Sequence, residues 1–260
     1  MFRVVIPARY ASTRFPGKPL VDLAGRPMLQ WVHENARDSG AQQVLVATDD
    51  ARIAEAARGF GASVIMTATT HASGTDRIAE AAGCAGWAEG DIVVNLQGDE
   101  PLLPPGLLRQ VAELLARHER ADLATLAAPI TAVEDYLDPN VVKVVTDQAG
   151  RALYFSRAPI PWHRDGGAAP GDPPKFTGAR RHIGLYAYRV GALRRLAALP
   201  VAILEEAEKL EQLRALAQGF EIRVADALER PGQDINTPAD LQRAAVQLRA
   251  RGLAAAGAAG

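Results

Sequence analysis

Between Ile6 and Leu20 the chain carries Arg9, Arg14 and Lys18 beside Ser12, Thr13 and Gly17, so cations, hydroxyls and a glycine share one short segment. That set suits a polyphosphate, because backbone N–H groups and Arg or Lys charge can replace the hydration shell of a polyanion. It is not a Walker A loop. Ser12 stands where the first glycine belongs, Pro19 stands where a Ser or Thr takes magnesium, and no Gly-x-Gly-x-x-Gly turn is present. A solvated edge loop has the same composition, and that reading stays open on these residues alone. The second candidate is Asp99 in Gln97-Gly98-Asp99-Glu100-Pro101, which follows the apolar run Ile92 to Leu96. It reads either as a Mg²⁺ ligand at the end of a strand or as a turn residue capping a helix after Pro104-Pro105. Ser73 and Gly74, ahead of Thr75-Asp76-Arg77, suit an anion or a base edge at a helix N-terminus and equally suit a plain N-cap. Asp49-Asp50 reads as a cap.

These groups need a frame, and the apolar pattern supplies one. Runs of strand length at Phe2–Pro7, Gln43–Thr48, Ser63–Thr67, Ile92–Leu96 and Leu123–Pro129 alternate with helical stretches, which predicts an α/β fold of parallel strands joined by right-handed crossovers. Pro27 opens a helix that Gly40 stops, and Asp50 caps one that ends near Gly59 and Gly61. After about residue 140 the pattern changes. Val141–Thr146 and Ala152–Phe155 flank Asp147-Gln148-Ala149-Gly150, a hairpin turn between antiparallel strands. Residues 163–180 read as a mobile loop. A strand is expected at His182–Tyr188, helices at 190–199 and 203–218, a strand at 220–225, a terminal helix at 237–251 and a frayed tail at 253–260.

At 260 residues and a formal net charge of -1, the chain is long enough for one large domain and lacks the basic excess of a dedicated nucleic-acid binder. The single cysteine, Cys84, excludes an internal disulfide framework and a Cys-rich zinc site. No signal-peptide pattern opens the chain and no apolar run spans a bilayer, so a cytoplasmic protein without membrane insertion is expected.

With the elements placed, the motifs line up with a known family. Ile6-Pro7-Ala8-Arg9-Tyr10, Ser12-Thr13-Arg14, Pro16-Gly17-Lys18-Pro19-Leu20, Ala47-Thr48-Asp49-Asp50, Ser73-Gly74-Thr75-Asp76-Arg77, Gln97-Gly98-Asp99-Glu100-Pro101, Pro139-Asn140-Val141-Val142-Lys143-Val144-Val145, the run Tyr154 to Pro161, the run His182 to Arg189 and Leu210-Glu211-Gln212-Leu213-Arg214 occur in order. Together they resemble the 3-deoxy-manno-octulosonate (Kdo) cytidylyltransferases, the enzymes that activate Kdo for lipopolysaccharide assembly, over residues 2 to about 245. The resemblance implies a Rossmann-like nucleotide-diphospho-sugar transferase fold. Its mostly parallel mixed sheet carries helices on both faces and a smaller antiparallel sugar-binding and dimerisation insertion. The chain then divides as one domain over 1–252: a nucleotide part to about 135, a sugar part over 136–226, and a return segment with terminal helix over 227–252.

The resemblance further implies CTP and Kdo as substrates, Mg²⁺ as cofactor and a homodimer. Arg9, Lys18 and Asp99 take the catalytic roles. Pro7, Ala8, Arg14, Ser73, Gly74, Arg77 and Gln97 join Arg9 and Lys18 around the nucleotide. Gln97, Arg157, His182, Tyr186, Glu211 and Gln212 surround the sugar. On the residues alone, His182 and Tyr186 read as one face of a strand, and Glu211 as a solvated helix face with a Glu205–Lys209 pair. One departure stands out: where the family has Asp-Thr-Pro before the last helix, with that Asp a second metal ligand, this chain has Asn236-Thr237-Pro238, and Asp234 lies two residues earlier. Asn236 and Asp234 are therefore the candidates for the second-metal region.

Overall fold

The computed structural model describes residues 1–11, 15–71, 73–164, 175–232, 235 and 237–258. Its centre is β1 (Arg3–Ala8), in which Val4, Val5 and Ile6 are wholly buried. Fully burying each such side chain contributes about 1.5–3 kcal/mol. Successive side chains of a strand face opposite ways. Val4 and Ile6 accordingly pack in one core and Val5 in another.

A 3₁₀ turn at Lys18–Leu20 follows, then a small hairpin of β2 (Asp22–Leu23) and β3 (Arg26–Pro27) that the sequence pattern does not announce. Helix α1 (Met28–Asp38) starts directly after Pro27 and is stopped by Gly40, whose φ is +83°. Strand β4 (Gln43–Thr48) leads to α2 (Ala51–Gly59), capped as expected by Asp50, which accepts from the N–H groups of Arg52 and Ile53. Next come β5 (Ser63–Met66), α3 (Gly74–Cys84), β6 (Ile92–Asn95), α4 (Pro105–Arg117), β7 (Leu123–Pro129) and the short α5 (Val133–Leu137). The expected antiparallel pair is β8 (Lys143–Thr146) and β9 (Ala152–Ser156), turned through Gly150 at φ +77°. The chain finishes with β10 (Arg180–Arg189), α6 (Val190–Ala197), α7 (Ile203–Glu208), α8 (Gln212–Ala217), β11 (Ile222–Asp226) and α9 (Pro238–Ala258).

The main sheet runs β11-β7-β10-β6-β1-β4-β5, with β8 and β9 attached beside β10. Every pairing along that path is parallel except those of β10, which is antiparallel to both β6 and β7. The sheet is thus mixed and mostly parallel. Side chains of α1, α2 and α4 fill the core on one face, and those of α3, α6 and α8 fill the core on the other.

Two expectations are corrected. The helix expected over 203–218 is broken: Lys209 takes a left-handed conformation, φ +52°, and ends α7 before α8 begins. Glu205 consequently pairs not with Lys209 but with Arg214 across the break, through bonds of 2.8 and 2.6 Å. The terminal helix also continues to Ala258 rather than stopping at Arg251, in keeping with the Ala-rich sequence there.

Candidate active site

The carboxyl ends of β1 and β6 meet where the two motif loops begin, the place at which open α/β sheets hold ligands. Gly98 makes that approach close: a Cβ built there would lie 3.2 Å from the Pro7 carbonyl oxygen. The loop after β1 is closed by a 2.9 Å bond from the Gly17 N–H to the Tyr10 carbonyl. Gly17 has a φ of +72°, and a Cβ there would meet the Tyr10 ring at 3.1 Å, so both backbone and space require glycine. The Arg52 guanidinium covers the same ring at 3.3 Å from its centroid. Lys18 is thereby carried inwards. It is 8 % exposed, and its ammonium donates to Asp99 Oδ2 at 2.6 Å. Arg9 stands exposed just beyond β1.

Ser73 is the N-cap of α3 and forms a capping box with Asp76, so the plain cap reading of its hydroxyl holds. Gly74 next to it faces Pro7 and Gln97: a Cβ there would be 3.6 Å from the Pro7 ring and 3.9 Å from the Gln97 amide. Asp99 does not cap α4, whose N-cap is Pro104.

A cavity of about 110 Å³ opens behind these residues, lined among others by Gly74, Gln97, Gly184, Tyr186, Glu211 and Gln212. Its polar wall is hydrogen-bonded. Gln97 Nε2 donates to Asn95 Oδ1 at 3.1 Å and Thr75 Oγ1 donates to Glu211 Oε2 at 2.6 Å, with Tyr188 lining the same wall. Burial and the neighbouring Glu211 charge raise both the Tyr186 and Tyr188 hydroxyls well above the usual tyrosine range, so both keep their protons. Two buried atoms in this wall have no hydrogen-bond partner, Tyr186 Oη and Glu211 Oε1. Buried polar atoms left unmatched in a cavity suit a polar ligand.

His182 sits in the adjoining cavity of about 200 Å³, together with Glu100, Asn140, Arg181, Gly184 and Gly232. Its Nε2 lies 2.9 Å from Thr125 Oγ1, and Thr125 gives its one proton towards the carbonyls of Leu185 and Ile183, at 2.7 and 3.1 Å. Nε2 must therefore carry the proton that Thr125 accepts, which leaves Nδ1 as an acceptor. Burial lowers the pKa of His182 to about 3, so the ring is neutral at ordinary pH.

Two other expected residues stand elsewhere. Arg77 is 2 % exposed and committed to Thr67 and, at 2.8 Å, to Asp49 Oδ2. Arg157 lines neither cavity. Its Nε donates to the Glu208 carbonyl at 2.6 Å and its Nη1 to the Pro139 carbonyl at 2.9 Å. Glu208 in turn accepts from Ser156 Oγ and the Arg157 N–H at 2.7 and 2.8 Å, and the wholly buried Lys143 donates to the carbonyls of Arg157 and Asp138 at 2.6 and 2.9 Å. Arg14, Asp234 and Asn236, and much of the 163–180 loop, lie outside the described residues. Thr75, Asn95, Thr125, Lys143, Tyr188 and Glu208 are functional candidates that sequence reasoning does not single out as such. All but Thr125 fall within or beside its motifs, and the spacing of those motifs was the available signal.

The chain's likenesses agree with this geometry. The profile of the Cytidylyltransferase family matches residues 3–223. A 3-deoxy-manno-octulosonate cytidylyltransferase of Thioalkalivibrio sulfidiphilus is 57% identical over 249 residues, covering 96% of this chain and 99% of the relative. Another, from Cellvibrio japonicus, is 56% identical over 93% of this chain and 96% of its own length. Among solved structures, a CMP:2-keto-3-deoxy-manno-octonic acid synthetase complexed with CTP superimposes with a TM-score of 0.86 at 39% identity, over 96% of this chain and 100% of that one. A 4-diphosphocytidyl-2C-methyl-D-erythritol synthase from Anaerococcus prevotii shares the fold alone, with a TM-score of 0.60 at 13% identity over 95% and 98% of the two chains. Agreement of this kind over nearly the whole length leaves one assignment: the chain belongs to the cytidylyltransferase family, among the 3-deoxy-manno-octulosonate cytidylyltransferases.

Proposed function

We propose that this chain transfers CMP from CTP to the anomeric hydroxyl of Kdo and releases pyrophosphate, supplying activated Kdo for lipopolysaccharide assembly. The observation that carries this reading is the junction of two unlike surfaces at the ends of β1 and β6. One is the Arg9 and Lys18 loop with Asp99; the other is a cavity whose Tyr186 and Glu211 atoms await hydroxyl partners. A triphosphate laid on the first surface presents its α-phosphorus to a sugar in the second, and in-line attack then needs positioning and charge neutralisation rather than a covalent enzyme intermediate. Arg9 and Lys18 bind the β and γ phosphates and stabilise the leaving pyrophosphate. Gly74, with no side chain facing Pro7 and Gln97, leaves room for the base, and Pro7, Ala8 and the Ser73-Gly74 backbone read its edge.

The donor set at Asp99 fits magnesium. It is a hard carboxylate, its Oδ2 already holds a cation, the Lys18 ammonium, at 2.6 Å, and Gly98 keeps it against the β1 loop. Among the described residues no group of three His, Cys, Asp or Glu side chains could hold a metal. Asp99 is therefore one ligand, with phosphate oxygens and water as the expected others. When bound, Mg²⁺ supplies charge neutralisation along the phosphates and lowers the pKa of the attacking hydroxyl. With magnesium at Asp99, the Lys18 ammonium would be free to turn to the phosphates.

The acting form is assigned as a homodimer, supported by Leu153 and Trp162 on and beside the β8–β9 hairpin, which are 61% and 63% exposed. Sedimentation velocity at micromolar concentration tests this, and a monomer there overturns it. Since CTP is a cytoplasmic metabolite, the cytoplasm is the assigned compartment; no helix among the described residues is long and apolar enough to cross a membrane. The reaction is tested by pyrophosphate release with Kdo, 8-amino-8-deoxy-Kdo and N-acetylneuraminate. The expected result is turnover with Kdo, and no turnover with it rejects the assignment.

A further inference from the structure

A glycine answers one of three needs: a left-handed backbone, close approach of another segment, or room for a ligand. Gly17 and Gly98, in the site loops, answer the first two. Gly184, in β10, answers neither. Its φ lies outside the left-handed region, and a Cβ built on it meets no atom within 4 Å. Packing and backbone would both accept alanine, yet the position is empty.

The empty place lies between the two cavities. Gly184 lines the one of about 110 Å³ and also the one of about 200 Å³. The register of β10 against β7 shifts between Ile183 and Tyr186, and the hydroxyl of Thr125 holds that irregularity by donating to the carbonyls of Ile183 and Leu185. Gly184 is exposed while Ile183 and Leu185 on either side are buried. Polar groups line both cavities. Tyr186, 8 % exposed, and Glu211 each bring an unpartnered buried oxygen to one, and neutral His182, whose ring lies 5.2 Å from that of Tyr186, lines the other. The hydroxyls of a polyol donate to and accept from such a set.

We propose that Gly184 is a specificity-determining residue: by lacking a side chain it joins the two cavities into one trough, in which an acidic polyhydroxylated sugar lies across the β10 backbone. The proposal rests on the sugar nucleotidyl transfer argued above. A side chain at 184 takes volume from the sugar, whereas the triphosphate loops lie apart from it at the ends of β1 and β6.

The test compares Gly184→Ala and Gly184→Val with the wild-type chain for thermal unfolding, CTP binding by calorimetry, and KM and kcat with Kdo, its 8-amino analogue and N-acetylneuraminate. Gly184→Ala should melt within about 2 °C of wild type, because a Cβ there meets no atom within 4 Å, and both variants should bind CTP unchanged. KM for the accepted sugar should rise on the order of 10-fold for Ala and 100-fold or more for Val. An unchanged sugar KM in Gly184→Val, or an equal loss of CTP and sugar affinity, overturns the role of Gly184 while leaving the reaction standing. A wild-type chain inert with Kdo but active with another acid sugar overturns the Kdo assignment instead, and the Val variant must then raise KM for that other sugar.

Discussion

Lys18 and Asp99 each satisfy the other in the free protein, so each must be exchanged before the triphosphate is held. Charge at Asp99 matters most where charge develops, in the transition state. Asp99→Asn should lower kcat on the order of 100-fold or more while changing the Kd for CTP by less than about threefold, read by steady-state kinetics beside calorimetry; equal losses in both would remove Asp99 from the chemistry. His182 makes a different prediction, about stability. Its pKa is about 3 in the fold against roughly 6.5 in an unfolded chain. Between those values the unfolded chain binds a proton that the native one refuses, so the stability of neutral His182 is full above pH 6.5 and is lost as pH falls towards 3. In urea unfolding at pH 7 and pH 5, His182→Gln should lose less stability than wild type over that interval, by up to about 2 kcal/mol. Equal losses would mean that the ring is solvated. Of these two residues, the place of Asp99 beyond a buried strand was legible from the apolar run before it, while the choice between ligand and helix cap stayed open there. The neutrality of His182 was not legible, because Thr125 and the burying strands are brought in by the tertiary fold.

Among the elements, the corner between α7 and α8 is the one local pattern conceals. A run without Gly or Pro over 203–218 reads as a single helix. Glu208 instead accepts from Ser156 and the Arg157 backbone, Lys209 turns left-handed, and Glu211 and Gln212 emerge at the cavity. Tertiary bonds thus override helix propensity. Lys209→Val, with a β-branched side chain at φ +52°, should cost about 1–2 kcal/mol in chemical unfolding. It should also raise the KM for sugar several-fold with little change for CTP; unaltered sugar kinetics would separate the corner from the site. The caps of α2 and α3 were readable, by contrast, because Asp50 and Ser73 act within three residues of themselves.

For the whole molecule, alternation of strands and helices was enough to announce a parallel sheet, since each crossover is decided locally. It could not say that β10 enters between β6 and β7, for the partners of β10 are remote in the chain and nothing in its own periodicity names them. The nucleotide and sugar parts are consequently not separable bodies. Residues 1–135 expressed alone should show no cooperative unfolding transition, and a sharp one would contradict this account. The same insertion bears on how the protein is made. As the chain leaves the ribosome, β6 and β7 are complete while the strand that joins them is still unsynthesised, so two bare sheet edges must wait for residues 180–189. Such edges invite pairing with other nascent chains. Synthesis that pauses between residues 130 and 180 is therefore the stage at which this enzyme is most exposed to aggregation, and the stage at which a chaperone would matter most.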